Sequence, residues 1–198
     1  MMGGINKIVL GTVQFGIPYG ISNDHGQTSI DEVHKILRLC GKSGIIFIDT
    51  ASFYGDSEKV LGSVIGNNNN FKIVTKTPVF KGKNINKKHI SELNMFFEKS
   101  LVDLKCDHVY GLLVHNCNDL VKPGGEALIK ALESLRSQGL VKKIGVSVYN
   151  PVQVEILLNE YDFDVVQLPV NIFDQRFIEK NTLGVLKQHG IEVHVRSI

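Results

Sequence analysis

A carboxylate, a phenol, an amine and an imidazole stand at matching points along this chain. The apolar run Gly44-Ile45-Ile46-Phe47-Ile48 ends in Asp49, and Tyr54 follows in the loop Asp49-Thr50-Ala51-Ser52-Phe53-Tyr54-Gly55. Ile73-Val74-Thr75 runs into Lys76, and Gly111-Leu112-Leu113-Val114 runs into His115. Each run reads as a buried strand, so the four groups fall at strand ends or just beyond them. Together they suit the reduction of a carbonyl. Hydride addition leaves negative charge on oxygen, which calls for a proton donor and a polarising group close by. A phenol with its ordinary pKa near ~10 donates poorly at neutral pH, and an adjacent ammonium favours its ionised form. Lys76 can supply that ammonium to Tyr54, Asp49 can hold Lys76 by an ion pair, and His115 can orient the substrate oxygen. Taken singly, each also fits a structural role: a turn-capping Asp, an interface Tyr, a solvated Lys, a core His.

The elements that must position these groups alternate along the chain. Apolar runs at 7–10, 45–48, 72–75, 109–114, 143–148, 165–168 and 191–195 predict seven strands. Between them, amphipathic stretches at 29–40, 57–65, 90–104, 126–138, 151–159 and 181–189 predict six helices. In the first, Val33, Ile36, Leu37 and Cys40 form one apolar stripe, and Ser29 with Glu32 has the spacing of a capping box. Gly139 reads as a helix stop and Pro151 as a first-turn residue. Asn67-Asn68-Asn69-Asn70 reads as a surface loop.

Repeated strand–helix alternation implies right-handed parallel units, and near-continuous apolar strands imply cover on both faces. The predicted fold is α/β, a TIM-type (β/α)8 barrel forming a single domain over 1–198. In such a barrel the strand ends carrying the four groups open onto one face, where the site lies. An open doubly wound sheet is the rival. Against it, Gly11-Thr12-Val13-Gln14-Phe15-Gly16 lacks the Gly-x-Gly-x-x-Gly spacing and does not open directly into a helix. Seven strands in 198 residues fall short of the eight units and ~250 residues of a full barrel. The chain is therefore expected to lack the last β/α portion, and its open edges are a route to oligomers.

With 22 Lys+Arg against 20 Asp+Glu, the net charge is +2, which argues for neither a nucleic-acid partner nor an acidic membrane surface. No apolar run approaches the ~20 residues of a membrane span, and Met1 to Lys7 does not read as a secretory signal. Cys40, Cys106 and Cys117 are odd in number and far apart, which suggests free buried thiols in a reducing, cytoplasmic setting. No metal is expected.

The chain resembles the aldo-keto reductases over nearly its whole length. The resemblance is carried by Leu10-Gly11-Thr12-x-x-Phe15-Gly16, Phe47-Ile48-Asp49-Thr50-Ala51-x-x-Tyr54-Gly55, Thr75-Lys76-Thr77 and Leu113-Val114-His115-Asn116. Gly139-x-x-Lys142-x-Ile144-Gly145-Val146-Ser147 and Val166-Gln167 extend it. It implies a catalytic tetrad of Asp49, Tyr54, Lys76 and His115, with Tyr54 as the acid and Lys76 and Asp49 as its tuning pair. It also implies NADPH or NADH as cofactor, near Gly11, Thr12 and Asp49, with Ser147 and Gln167 holding the nicotinamide carboxamide. Serine and glutamine offer the donors and acceptors an amide needs. Many members carry Asn after the serine, where this chain has Val148. The pyrophosphate and adenosine-phosphate residues of the family fall in the last portion, so the resemblance names none here, and Arg196 receives no role from it. Gly11 to Gly20 is similar to members associated with bacterial sugar or surface-polysaccharide metabolism. The implied substrate is a small aldehyde or ketone, with a sugar-derived carbonyl as one class. The rival from another class is a catalytically weak scaffold of the same fold that binds a partner or a nucleotide.

Overall fold

The structure is a computed structural model, and it describes residues 7–66 and 70–197. Met1 to Asn6, Asn67 to Asn69 and Ile198 lie outside the described residues, and with them most of the expected asparagine loop and N-terminal segment. In chain order the elements are β1 Val9–Gly11, α1 Val13–Gly16, α2 Ile30–Lys42, β2 Phe47–Asp49, α3 Ser57–Ile65 and β3 Lys72–Lys76. Then come α4 Lys87–Leu104, β4 Val109–Val114, a 3-10 turn Cys117–Asp119, α5 Glu126–Ser137 and β5 Val141–Ser147. Last are α6 Pro151–Leu158, β6 Val165–Pro169, α7 Arg176–Glu179, α8 Thr182–Gln188 and β7 Glu192–Arg196. The strands belong to one sheet in the order β1 to β7, which is the strand order of a (β/α)8-type fold with seven strands present.

Two compact units are distinguished, the first holding residues up to Thr77 with Leu93–Tyr110, the second Pro78–Glu92 with Gly111 onward. In the first, β1 pairs parallel with β2, and β2 with β3, so that Asp49 lies opposite both Gly11 and Val74. The second strand was expected over 45–48 but begins at Phe47 and ends in Asp49 itself. The reason is the end of α2. Gly44 takes a left-handed φ of 73°, and Ile45 N–H closes back on Cys40 carbonyl at 2.9 Å, so Ile45 finishes the helix cap. The same device, at Gly139 with a φ of 77°, ends α5 where the sequence predicted.

Other boundaries moved for local reasons. α4 starts at Lys87 instead of Ile90, because its first turn is polar and carries no apolar stripe to read. The residues after β1 do form a helix, the single turn α1, closed by Phe15 N–H on Thr12 carbonyl at 2.9 Å. Four residues leave no periodicity to detect, and the same holds for α7 and the 3-10 turn. Ser29 does cap α2, its Oγ accepting from Glu32 N–H. Of the thiols, Cys40 and Cys117 are buried and Cys106 is half-buried. Burial pushes Cys106 and Cys117 up to about 11, which makes them inert as nucleophiles at neutral pH.

The first unit encloses a carboxylate. Glu58 on α3 is 5% exposed, and it accepts from Thr75 Oγ1 of β3 at 2.6 Å and Ser100 Oγ of α4 at 2.9 Å. Burial raises its pKa, opposed in part by those two hydroxyls. An acid whose folded pKa lies above its unfolded one binds protons more tightly when folded. Its stabilising share is full below the unfolded value and is lost as pH rises toward the folded one. Urea unfolding of the wild type should therefore show a declining component across the acid range that Glu58→Gln lacks. Parallel pH profiles for the two proteins would remove Glu58 from that role.

In the second unit, β5 pairs parallel with β6 and β6 with β7, with Ser147 opposite Gln167 and Gln167 opposite His194. Every residue of β6 is buried, as expected of a strand covered on both faces. α6 begins at Pro151 behind a full capping box between Asn150 and Gln153.

Candidate active site

The strand ends of the first unit bring three of the expected residues together. Lys76, the last residue of β3, is 2% exposed. Its Nζ donates to Asp49 Oδ1 and Oδ2 and to the Thr50 carbonyl, each at 2.8 Å. These acceptors match in number the three donors of an ammonium. The same Nζ sits 5.1 Å from the centroid of the Tyr54 ring, a cation–π distance. A charge removed from water is tolerated only when paired and hydrogen-bonded, and Asp49 meets that need from the neighbouring strand. The order Asp49, Lys76, Tyr54 is thus a physical chain: the carboxylate holds the ammonium, and the ammonium faces the phenol ring.

A buried hydroxyl network, invisible in the sequence, sets the loop that carries Tyr54. Ser57 Oγ contacts the Thr12 carbonyl at 2.8 Å, Thr12 Oγ1 at 2.9 Å and Thr50 Oγ1 at 3.2 Å. Thr12 Oγ1 in turn donates to the Asp49 carbonyl at 2.9 Å. Thr12, Thr50 and Ser57 are fully buried. The hydroxyl of Thr12 is therefore spent on tying the end of β1 to Asp49. Gly11, opposite Asp49, is exposed, and a Cβ there would meet nothing within 4 Å.

Backbone packing fixes Tyr54 from a second side. A Cβ on Gly16 would come within 1.7 Å of the Tyr54 carbonyl oxygen, and one on Gly55 within 2.6 Å of the Gly16 carbonyl. No relaxation of a flexible side chain can relieve a backbone clash. Gly16→Ala is expected to cost at least about 1–3 kcal/mol of stability. It should also cut any turnover that depends on Tyr54, with urea unfolding and steady-state kinetics on the same sample as the check. Unchanged values on both counts would mean that α1 does not hold Tyr54.

The second unit holds the remaining expected residues. His115 follows the last residue of β4 and is half-buried. Ser147 ends β5 and Gln167 lies in β6, directly opposite in register, with exposures of 2% and 3%. Val148 N–H donates to the Gln167 carbonyl at 2.8 Å, and the Val148 side chain is wholly buried, leaving no amide where many family members have Asn. Ser147 and Gln167 present one hydroxyl and one carboxamide side by side, a donor and acceptor set that fits an amide ligand. Among the described residues no cluster of three or more His, Cys, Asp or Glu is placed to hold a metal ion.

Parallel strands in chain order thus carry an acid–ammonium–phenol group at and just beyond their ends in an α/β protein. The chain belongs to the aldo/keto reductase family, which it matches over residues 7–198. It is 30% identical to a 6-dehydroglucose reductase of Agrobacterium fabrum over 167 residues, covering 77% of this chain and 53% of that one. A solved Pseudomonas aeruginosa protein assigned to the aldo-keto reductases is 25% identical, with a TM-score of 0.79 over 98% of this chain and 74% of that one. A Bombyx mori aldo-keto reductase, solved in complex with NADP, is 23% identical with a TM-score of 0.68 over 96% of this chain and 62% of that one. The chain spans about half the length of the curated relatives it matches. Among the described residues no helix is long and apolar enough to cross a membrane.

Proposed function

We propose that the protein reduces an aldehyde or ketone with NADPH or NADH, with Tyr54 as the proton donor. The observation that carries this reading is the placement of Lys76 Nζ, bound to both oxygens of Asp49 and 5.1 Å from the Tyr54 ring centroid. The bound dinucleotide supplies the hydride. Tyr54 gives its proton to the oxygen that gains negative charge, and Lys76 favours the phenolate left behind. Asp49 keeps Lys76 charged and in place. The family resemblance supplies the fourth role, His115 as the hydrogen-bonding orienter of the substrate oxygen.

Ser147 and Gln167 are assigned to the nicotinamide carboxamide because they lie in register and offer complementary groups. The open space over Gly11 is assigned to the cofactor as well, with Thr12 acting through its tie to Asp49. The Bombyx mori relative with NADP bound supports a nicotinamide dinucleotide, and the Agrobacterium relative supports a sugar-derived carbonyl substrate. A single domain over 1–198 and a cytoplasmic setting belong to the same proposal, the latter supported by three free thiols.

The test is a fluorescence titration with NADPH and NADH followed by turnover of a panel of sugar-derived and simple aldehydes. Cofactor binding with aldehyde-dependent oxidation of NADPH is the expected result. Binding without turnover would point to the scaffold reading, and absence of binding would overturn the reductase assignment for this chain.

A further inference from the structure

Arg196 stands out from the two other arginines of its unit, both of which pair with carboxylates. Arg136 Nη1 donates to Asp164 Oδ2 at 3.0 Å. Arg176 makes a two-pronged pair with Asp174, Nε and Nη2 each donating at 2.8 Å to one carboxylate oxygen. Arg196 has no carboxylate within ion-pair distance among the described residues. Its guanidinium instead lies 4.3 Å from the centroid of the Tyr149 ring. Its Nη2 donates to the Val148 carbonyl at 3.3 Å and its Nη1 to Ser197 Oγ at 3.4 Å. Stacking on an aromatic ring fixes the plane of the guanidinium while leaving its charge uncancelled, so the fork is held ready for an oxyanion that can accept two parallel hydrogen bonds.

The register of the sheet says where that fork lies. Ser147, Gln167 and His194 form one row across β5, β6 and β7. Side chains two residues apart on a strand share a face, so Pro169 and Arg196, which pair with each other, form the next row toward the strand C-termini. Tyr149 follows Ser147 by two residues, and its ring lies against the Arg196 guanidinium. The arginine thus stands one row, about 7 Å along the strands, beyond the hydroxyl and carboxamide of Ser147 and Gln167. A ligand seated on that amide-matching row brings its next group to a cation.

We propose that Arg196, stacked on Tyr149 and steadied by the Val148 carbonyl, is an oxyanion-binding subsite that takes a phosphate or carboxylate of the ligand bound beside Ser147 and Gln167. It deepens the reductase reading, because the anion then belongs either to the dinucleotide or to an acidic carbonyl substrate. A planar fork binds such oxygens through paired, charge-assisted hydrogen bonds, which a point-charge lysine reproduces only in part.

Inorganic pyrophosphate is the direct probe, with binding followed by titration calorimetry at low salt. Arg196→Gln should weaken that binding at least about tenfold, with Arg196→Lys between it and the wild type. Arg176→Gln removes the same charge elsewhere in the unit and should leave binding intact. Two further arms identify the source. A loss of NADPH affinity in Arg196→Gln assigns the anion to the cofactor. A rise in KM for succinic semialdehyde but not butyraldehyde assigns it to the substrate. If the wild type does not bind pyrophosphate, or Arg196→Gln binds it equally, the subsite is overturned. Pyrophosphate binding that depends on Arg196 in a protein that does not bind NADPH would leave the subsite standing and remove the reductase reading alone.

Discussion

Replacing Tyr54 by Phe is expected to lower kcat for carbonyl reduction by about 10²- to 10⁴-fold while leaving NADPH affinity within about twofold. The substitution removes one oxygen and keeps the ring. Lys76 retains a π face at 5.1 Å, and its contacts with Asp49 and the Thr50 carbonyl do not involve the phenol oxygen. Neither the fold nor the charge pair should change, so the lost activity reports proton donation itself. Equal loss of kcat and kcat/KM is the signature of an interaction made only in the transition state. Single-turnover measurement at saturating NADPH isolates that step from product release. A fall of less than about threefold would show that another group, or water, supplies the proton.

The contacts behind that expectation were legible in the sequence to different depths. Asp49, Lys76 and Tyr54 could be read because strand ends are visible as breaks in apolar runs. The ion pair then follows from opposite charges on neighbouring strands. Ser147 and Gln167 entered through the family resemblance, and parallel pairing places them opposite one another. The hydroxyls of Thr12, Thr50 and Ser57 were not legible, because small polar residues near turns are common and only packing shows that these three meet. Glu58 was hidden for a related reason. A glutamate in the first turn of a helix reads as a solvated end, and its partners Thr75 and Ser100 come from distant segments. Arg196 and Tyr149 are far apart in the chain, and neither has a distinctive local pattern. The existence and type of the seven strands and the six longer helices followed from periodicity, while the one-turn helices α1 and α7 did not. Boundaries moved where a cap took residues from a strand, as at Ile45, or where a helix was too short to show a period, as in α1.

The same pair that positions Tyr54 should be the most stability-sensitive contact of the site, and asymmetrically so. The Lys76 side chain is 1% exposed and that of Asp49 16%. Asp49→Asn takes from a nearly fully buried ammonium the carboxylate that holds it, a change of the kind that costs about 3–5 kcal/mol. Lys76→Met leaves the carboxylate instead, which keeps some contact with solvent, so the loss should be smaller. In the double variant neither charge remains, and a neutral pair of similar volume is often tolerated in such a position. Its destabilisation should therefore fall well below the sum of the singles, a coupling that urea unfolding of all four proteins measures directly. Activity should not follow that recovery: the double variant regains stability but lacks the ammonium that favours the Tyr54 phenolate, so its turnover should match that of Lys76→Met. Additive stability losses would show that the pair is not coupled. Recovery of turnover in the double variant would show that Lys76 serves the fold and not the chemistry.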